Sequence, residues 1–181
     1  MAISSVTGGD KFKKALEDIG KRLGNNPKMK MGFFETATYP DGTPVASVAY
    51  ANEFGDFKRP PRPFFRRMII ANKARWPLMV NAALRANNFD AKLSLEKLGN
   101  EMESELQQSI ADLYDPPLSP VTVMLRYMRR LDKDLVVTPA VIAQARQNLI
   151  DGVQMGDTST KPLVDTGQMI SHKSIGTEIE D

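Results

Sequence analysis

The order of elements along the chain predicts an α+β fold, a small antiparallel sheet combined with one long helix and several short ones. Three observations carry this. "KMKMGFFE" at 28–35 sets Lys28 and Lys30 against Met29, Met31 and Phe33, the period of a half-buried strand. The end of the chain alternates through Ile175, Thr177 and Ile179 and reads as a second strand. Between them, Leu95, Leu98, Met102, Leu106, Ile110 and Leu113 form the apolar stripe of a helix from about 93 to 113. At 181 residues the chain is long enough for one well-packed domain and short for two.

The remaining elements follow in order. Phe12, Leu16, Ile19 and Leu23 recur at the helical period, predicting a helix over 10–23 that Thr7 or Asp10 caps and Gly24, Asn25 and Asn26 end. "YPDGTP" is turn chemistry, with Pro40 presetting the turn and Gly42 tolerating a positive φ. A short helix is expected over 43–54, with Thr43 as N-cap, Pro44 at the first helical position and Gly55 as the closing glycine. Pro60 and Pro61 force an extended crossing. From Pro63 the spacing of Phe64, Met68 and Ala71 is helical again, with a kink or break expected near Trp76 because Pro77 lacks a backbone donor. "YDPPLSPVT" interrupts the chain after the long helix. Ser119-Pro120 and Thr138-Pro139 then each look like a cap followed by a first-turn proline, opening two more helices. Residues 151–162 are glycine-rich and polar and read as a mobile loop.

Composition excludes several kinds of chemistry. There is no cysteine, so disulfides, thiolate metal sites and cysteine catalysis are absent together. With a single histidine, His172, in a Ser/Lys-rich stretch read as strand, no metal site and no Ser-His-Asp arrangement is expected. Glu101, Glu103 and Glu105 lie two apart and would spread over different faces of a helix, a solvated surface rather than an acid and base pair. Gly8-Gly9 precedes a helix but lacks the lysine of a phosphate loop. No apolar run approaches the roughly 18 residues of a membrane span. "MAISSVTGGDKF" lacks the basic start and apolar block of a signal peptide, and synthesis in the cytoplasm is the expectation. Neither an enzymatic role nor a cofactor is expected.

Net charge is only +2, but its distribution is uneven. Lys58, Arg59, Arg62, Arg66, Arg67, Lys73, Arg75 and Arg85 fall in 57–89, a window with no Asp or Glu. The next window, 90–115, places Asp90, Glu96, Glu101, Glu103, Glu105, Asp112 and Asp115 against Lys92 and Lys97. Such asymmetry suits a protein that stacks against copies of itself or lines a channel for a polyanion. An intramolecular match between neighbouring helices is equally open. Within the basic window, Phe64, Phe65 and Trp76 fall at helical spacings that favour core and interface packing, with Phe64 or Phe65 turned inward, over base stacking on a nucleic acid. A DNA contact here would be a sequence-independent attraction to phosphates.

The motifs taken in order resemble a known family. "GFFE", "VASVAYANEFG", "PPRPFFR", "DPPLSPVT" and "KPLVDTGQMISHKSI" follow one another as in the neck or tail-completion proteins of tailed bacteriophages. The likeness covers about Met29 to Ile179, and its most specific pieces are Asn52-Glu53-Phe54-Gly55, Arg62-Pro63-Phe64-Phe65 and Pro162 to Gly167. It marks Asn52, Glu53, Gly55, Pro63, Asp165, Thr166 and Gly167 as structural motif residues. Lys58, Arg59, Arg62, Phe64, Phe65, Arg66 and Arg67 are then candidates for a subunit interface or a DNA lumen. The resemblance implies a non-enzymatic virion subunit with a curved sheet packed against a long helix, forming a sixfold or twelvefold homo-oligomeric ring in the neck. Its expected partners are itself, a head-side connector protein, a tail terminator or tail tube or sheath protein, and genomic DNA in the lumen. Residues 121–159 depart from the plainest members as a helical insertion. The alternative is a phage DNA-binding accessory protein using 58–85.

Overall fold

The computed structural model describes residues 9–24, 27–57 and 59–180. Thr7, Asn25, Asn26 and Lys58 lie outside the described residues. Seven α-helices and two strands make up the described chain, in the order α1 (Gly9–Leu23), β1 (Lys28–Phe33), α2 (Val45–Phe54), α3 (Phe64–Asn72), α4 (Trp76–Ala86), α5 (Ala91–Ala111), α6 (Pro120–Leu131), α7 (Pro139–Ile150) and β2 (Ile175–Glu180). A single 3-10 turn, Gln168–Ile170, precedes β2. The α+β reading holds.

The two strands pair antiparallel, from Lys28 opposite Glu180 to Phe33 opposite Ile175. The alternation seen in the sequence is kept, with Lys28 and Lys30 exposed and Met29, Met31 and Phe33 half-buried. Helix α5 packs across this ribbon so closely that Gly99 has no room for a side chain. A Cβ there would lie 2.5 Å from Thr177 Oγ1 and 3.1 Å from its Cβ. The core forms where α2, α3, α5 and the ribbon meet, from Val45, Ala49, Phe64, Met68, Leu106, Ile110, Leu113, Leu163, Met169 and Ile175. Phe64 meets Phe33 edge to face, ring centroids 6.2 Å apart.

Several boundaries moved for physical reasons. Helix α5 begins at Ala91, because Asp90 caps it by accepting from the Leu93 N–H at 3.0 Å. Thr43 is not the cap of α2; Pro44 holds that position without a side-chain bond. Thr43 is occupied in the turn, its carbonyl accepting from the Tyr39 N–H and its own N–H donating to Asp41. The break expected near Trp76 is present, as a turn over 73–75. α3 stops at Asn72, and Pro77 lies in the first turn of α4, where its missing donor costs nothing. Both proline-headed caps are as read: Ser119 Oγ accepts from Thr122 N–H at 3.2 Å, and Thr138 Oγ1 from Val141 N–H at 3.3 Å.

Three helices sit apart from this core. Helix α1 has the apolar stripe that its sequence predicts, yet none of its residues is buried, and Phe12 and Leu16 are 65% and 51% exposed. Helices α6 and α7 pack chiefly on each other. No helix among the described residues is long and apolar enough to cross a membrane.

Candidate functional site: a clasp and an arginine-lined cleft

The motifs that stand out in the sequence meet in space as a clasp. Glu53, near the end of α2, is buried and lies against the first turn of α3. Its carboxylate accepts from the Phe65 N–H at 2.8 Å and from the Arg66 N–H at 3.1 Å. It thereby caps α3 from a distance of twelve residues, where Pro63 offers no side chain of its own for the purpose. Arg66 closes the clasp, donating from Nε to Glu53 Oε1 at 2.8 Å and from a terminal nitrogen to the Glu53 carbonyl. Its guanidinium also lies 5.1 Å from the centre of the Phe54 ring. The Arg62 N–H donates to the Asn52 carbonyl at 2.6 Å. Gly55 makes the tight return possible. Its φ is 72°, and a Cβ would lie 2.7 Å from the Pro61 nitrogen.

The basic segment does not form one face. Phe64 is buried in the core and Arg62 is 7% exposed, so both are interior residues of this chain rather than surface ones. Phe65 is half-buried against the core. Arg59 pairs with Asp56 at 2.8 Å, and Arg66 with Glu53. Arg75 of the α3–α4 turn pairs with Glu105 of α5, whose other oxygen accepts from the Trp76 indole at 2.8 Å. That contact is an intramolecular match between the basic and acidic windows. Arg67, Lys73 and Arg85 are exposed and carry no ion pair among the described residues.

Arg62 instead opens on a cleft of about 700 Å³ between the proline crossing and α6. Its Nε donates to the Pro116 carbonyl at 3.0 Å and a terminal nitrogen to the Pro117 carbonyl at 3.2 Å. Arg126 of α6 faces it. Arg126 donates to the carbonyls of Ser159, Lys161 and Pro162 and lies 3.4 Å from Asp165. Arg129 follows one turn later on the rim, with Arg59 also in the lining. Both inner guanidinium groups are held below the ordinary arginine value. Burial is the main cause for each; Arg62 also feels the like charges of Arg126 and Arg59, while Asp165 partly offsets the effect on Arg126. They stay charged at neutral pH.

A second lobe of about 420 Å³ adjoins the first and is lined by Tyr39, Asp41, Arg129, Asp165 and Gly167. Hydrogen bonding from Thr43 holds the Asp41 carboxyl below its usual value, while burial raises the Tyr39 phenol. Thr166 and Gly167 shape the wall. Gly167 has φ 76° at the start of the 3-10 turn, and Thr166 Oγ1 accepts from the Gln168 N–H at 3.3 Å.

Arg126 and Arg129 lie outside the basic window and were not singled out by the sequence. The available signal was Arg126 three residues after Val123, on the buried side of α6. The expected loop 151–162 is irregular, but Arg126 anchors its end. His172 lies on the turn before β2 rather than in a strand, exposed, with Nδ1 2.6 Å from Glu103 Oε1. Glu103 and Glu105 therefore each have a partner, whereas Glu101 is simply exposed. No group of three or more His, Cys, Asp or Glu with metal-binding placement occurs among the described residues. Comparison with protein-family models, with curated proteins and with solved structures finds no match.

Proposed function

We propose that this chain is a structural subunit of a tailed-bacteriophage virion, a neck or tail-completion protein that assembles with copies of itself into a ring around the DNA path. The observation that carries the reading is surface. The accessible area is 12440 Å². A compact monomer of this size should expose roughly 8,700 Å². Large apolar side chains are exposed among the described residues, including Phe12, Tyr50, Phe57, Ile70, Leu78, Leu131, Val136 and Ile150. These residues lie on several elements, and a ring needs two different complementary patches on each subunit. Large exposed apolar area on a chain of this length is what an assembly subunit covers.

The clasp supports the resemblance from another side. Glu53 and Arg66 bond directly, the Asn52 carbonyl accepts from the Arg62 N–H, and Gly55 packs against Pro61, as expected of a structural signature. The alternative reading, a DNA-binding accessory protein, is weakened. Arg59, Arg62, Arg66 and Arg75 of its basic block are engaged within the chain. Electron cryomicroscopy of the intact particle tests the proposal: density for this chain between head and tail supports it, and density confined to the capsid interior or the tail tip ends it. Steeply salt-dependent binding to duplex DNA, lost on replacing Arg67, Lys73 and Arg85, would favour the alternative.

A further inference from the structure

Arg62 is an interior cation without a counter-charge. No carboxylate among the described residues pairs with it, and its charged neighbours, Arg59 and Arg126, have its own sign. Its hydrogen bonds to two carbonyls fix the guanidinium but do not neutralise it. An uncompensated buried charge is costly, and an anion entering the cleft would offset that cost. Arg126 is shared with a single half-exposed carboxylate, Asp165, and Arg129 has no ion pair among the described residues.

We infer that this cleft binds the carboxylates of an extended acidic segment of a partner protein. Arginine forks are matched in shape to carboxylates, and the cleft is lined by Arg62 on the proline crossing and by Arg126 and Arg129 on α6, of which Arg129 on the rim has its fork uncommitted among the described residues. The lining also includes apolar side chains, Pro60, Leu118, Leu125 and Val137, which suit the apolar side chains of the same segment. A volume of about 700 Å³ takes a few residues. A nucleic-acid strand fits less well. No aromatic ring lines the main lobe for bases to stack on, and Asp165 and Asp41 interrupt the path of a continuous polyanion. The inference does not depend on the virion reading, whose own test is position in the particle.

The probes are a fluorescein-labelled peptide of alternating Glu and Leu, the same peptide with Gln for Glu, and a labelled oligothymidylate. Anisotropy at low salt should show the acidic peptide bound and its Gln counterpart at least about tenfold weaker. Arg129→Glu should lower affinity for the acidic peptide by about tenfold or more. The Arg129 side chain makes no hydrogen bond among the described residues and acts only by its charge on exposed Asp41, so the fold should survive the reversal, which circular dichroism checks. Arg146→Glu on α7, outside the cleft, should leave binding unchanged. Equal binding of the Glu and Gln peptides, unaltered affinity in Arg129→Glu, or tighter binding of oligothymidylate than of the acidic peptide would overturn the inference.

Discussion

Glu53 gathers three donors from α3 on one buried carboxylate, and that concentration sets what its loss should do. Glu53→Ala leaves two first-turn N–H groups without an acceptor and Arg66 without its partner, an expected loss of about 3 kcal/mol in urea unfolding. Arg66→Ala should cost only about 1 kcal/mol, because half of that side chain is in water. The reverse order would show that the ion pair, not the long-range cap, is what matters. Gly55→Ala combines a positive φ with a contact against backbone and should destabilise by at least about 2 kcal/mol. Asp41 gives the pH dependence. Its folded value is depressed, so its contribution is present above the unfolded value of 3.8 and disappears as pH falls through the lower folded value. The melting temperature of Asp41→Asn should therefore lie below wild type at neutral pH and converge with it in acid; a constant gap would mean the carboxylate's charge is irrelevant. At this scale the sequence showed which residues mattered more readily than why. The helix-closing role of Gly55 was readable from its place after an apolar run. That Glu53 caps α3 was not, since the cap spans twelve residues and no local pattern encodes it.

Elements were easier to read than their contacts. Helices α5, α6 and α7 and both strands declared themselves because each carries a full period of apolar positions or a Ser/Thr-Pro cap. What periodicity could not convey is how near one element lies to another. Gly99 and Thr177 are the case in point: the glycine looks like a helix weakness in sequence, whereas in the fold it is the place where α5 meets β2. This makes a two-part expectation. Gly99→Ala alone should destabilise by about 1–2 kcal/mol, the clash with Thr177 outweighing up to about 1 kcal/mol of improved helix propensity. In a Thr177→Ala background the Oγ1 and Cγ2 atoms are gone and only the 3.1 Å contact with Cβ remains, so the same change should cost at least about 1 kcal/mol less. A thermodynamic cycle measured by denaturant unfolding should yield a coupling of at least about 1 kcal/mol. Simple additivity would mean that α5 and β2 can move apart, and the close packing would lose its significance. The arginine cleft escaped the sequence for the same reason, since Arg62 and Arg126 lie on separate elements that converge only in the folded chain.

For the whole molecule, the question is where the uncovered apolar surface goes, and α1 is the cleanest place to ask. Its stripe of Phe12, Leu16, Ile19 and Leu23 was legible in the sequence as a buried face, but within one chain the two outer residues remain more than half exposed. Fully burying a residue of this kind is worth about 1.5–3 kcal/mol. At these exposures less than half of that is realised inside the chain, leaving a comparable amount for a contact with a second copy. Replacing both Phe12 and Leu16 by Ser should then reduce the stability of the isolated fold by no more than about 2 kcal/mol in urea. The same double variant should weaken self-association at least tenfold, read by sedimentation velocity across a concentration series, because two apolar anchors leave the interface together. The two readouts separate the possibilities. If the fold loses much more and association is unmoved, α1 supports its own chain, and any contact between copies in the proposed ring lies on another element such as α4, α6 or α7. If stability is nearly kept and assembly fails, the stripe that one chain leaves uncovered is the surface that the next one takes.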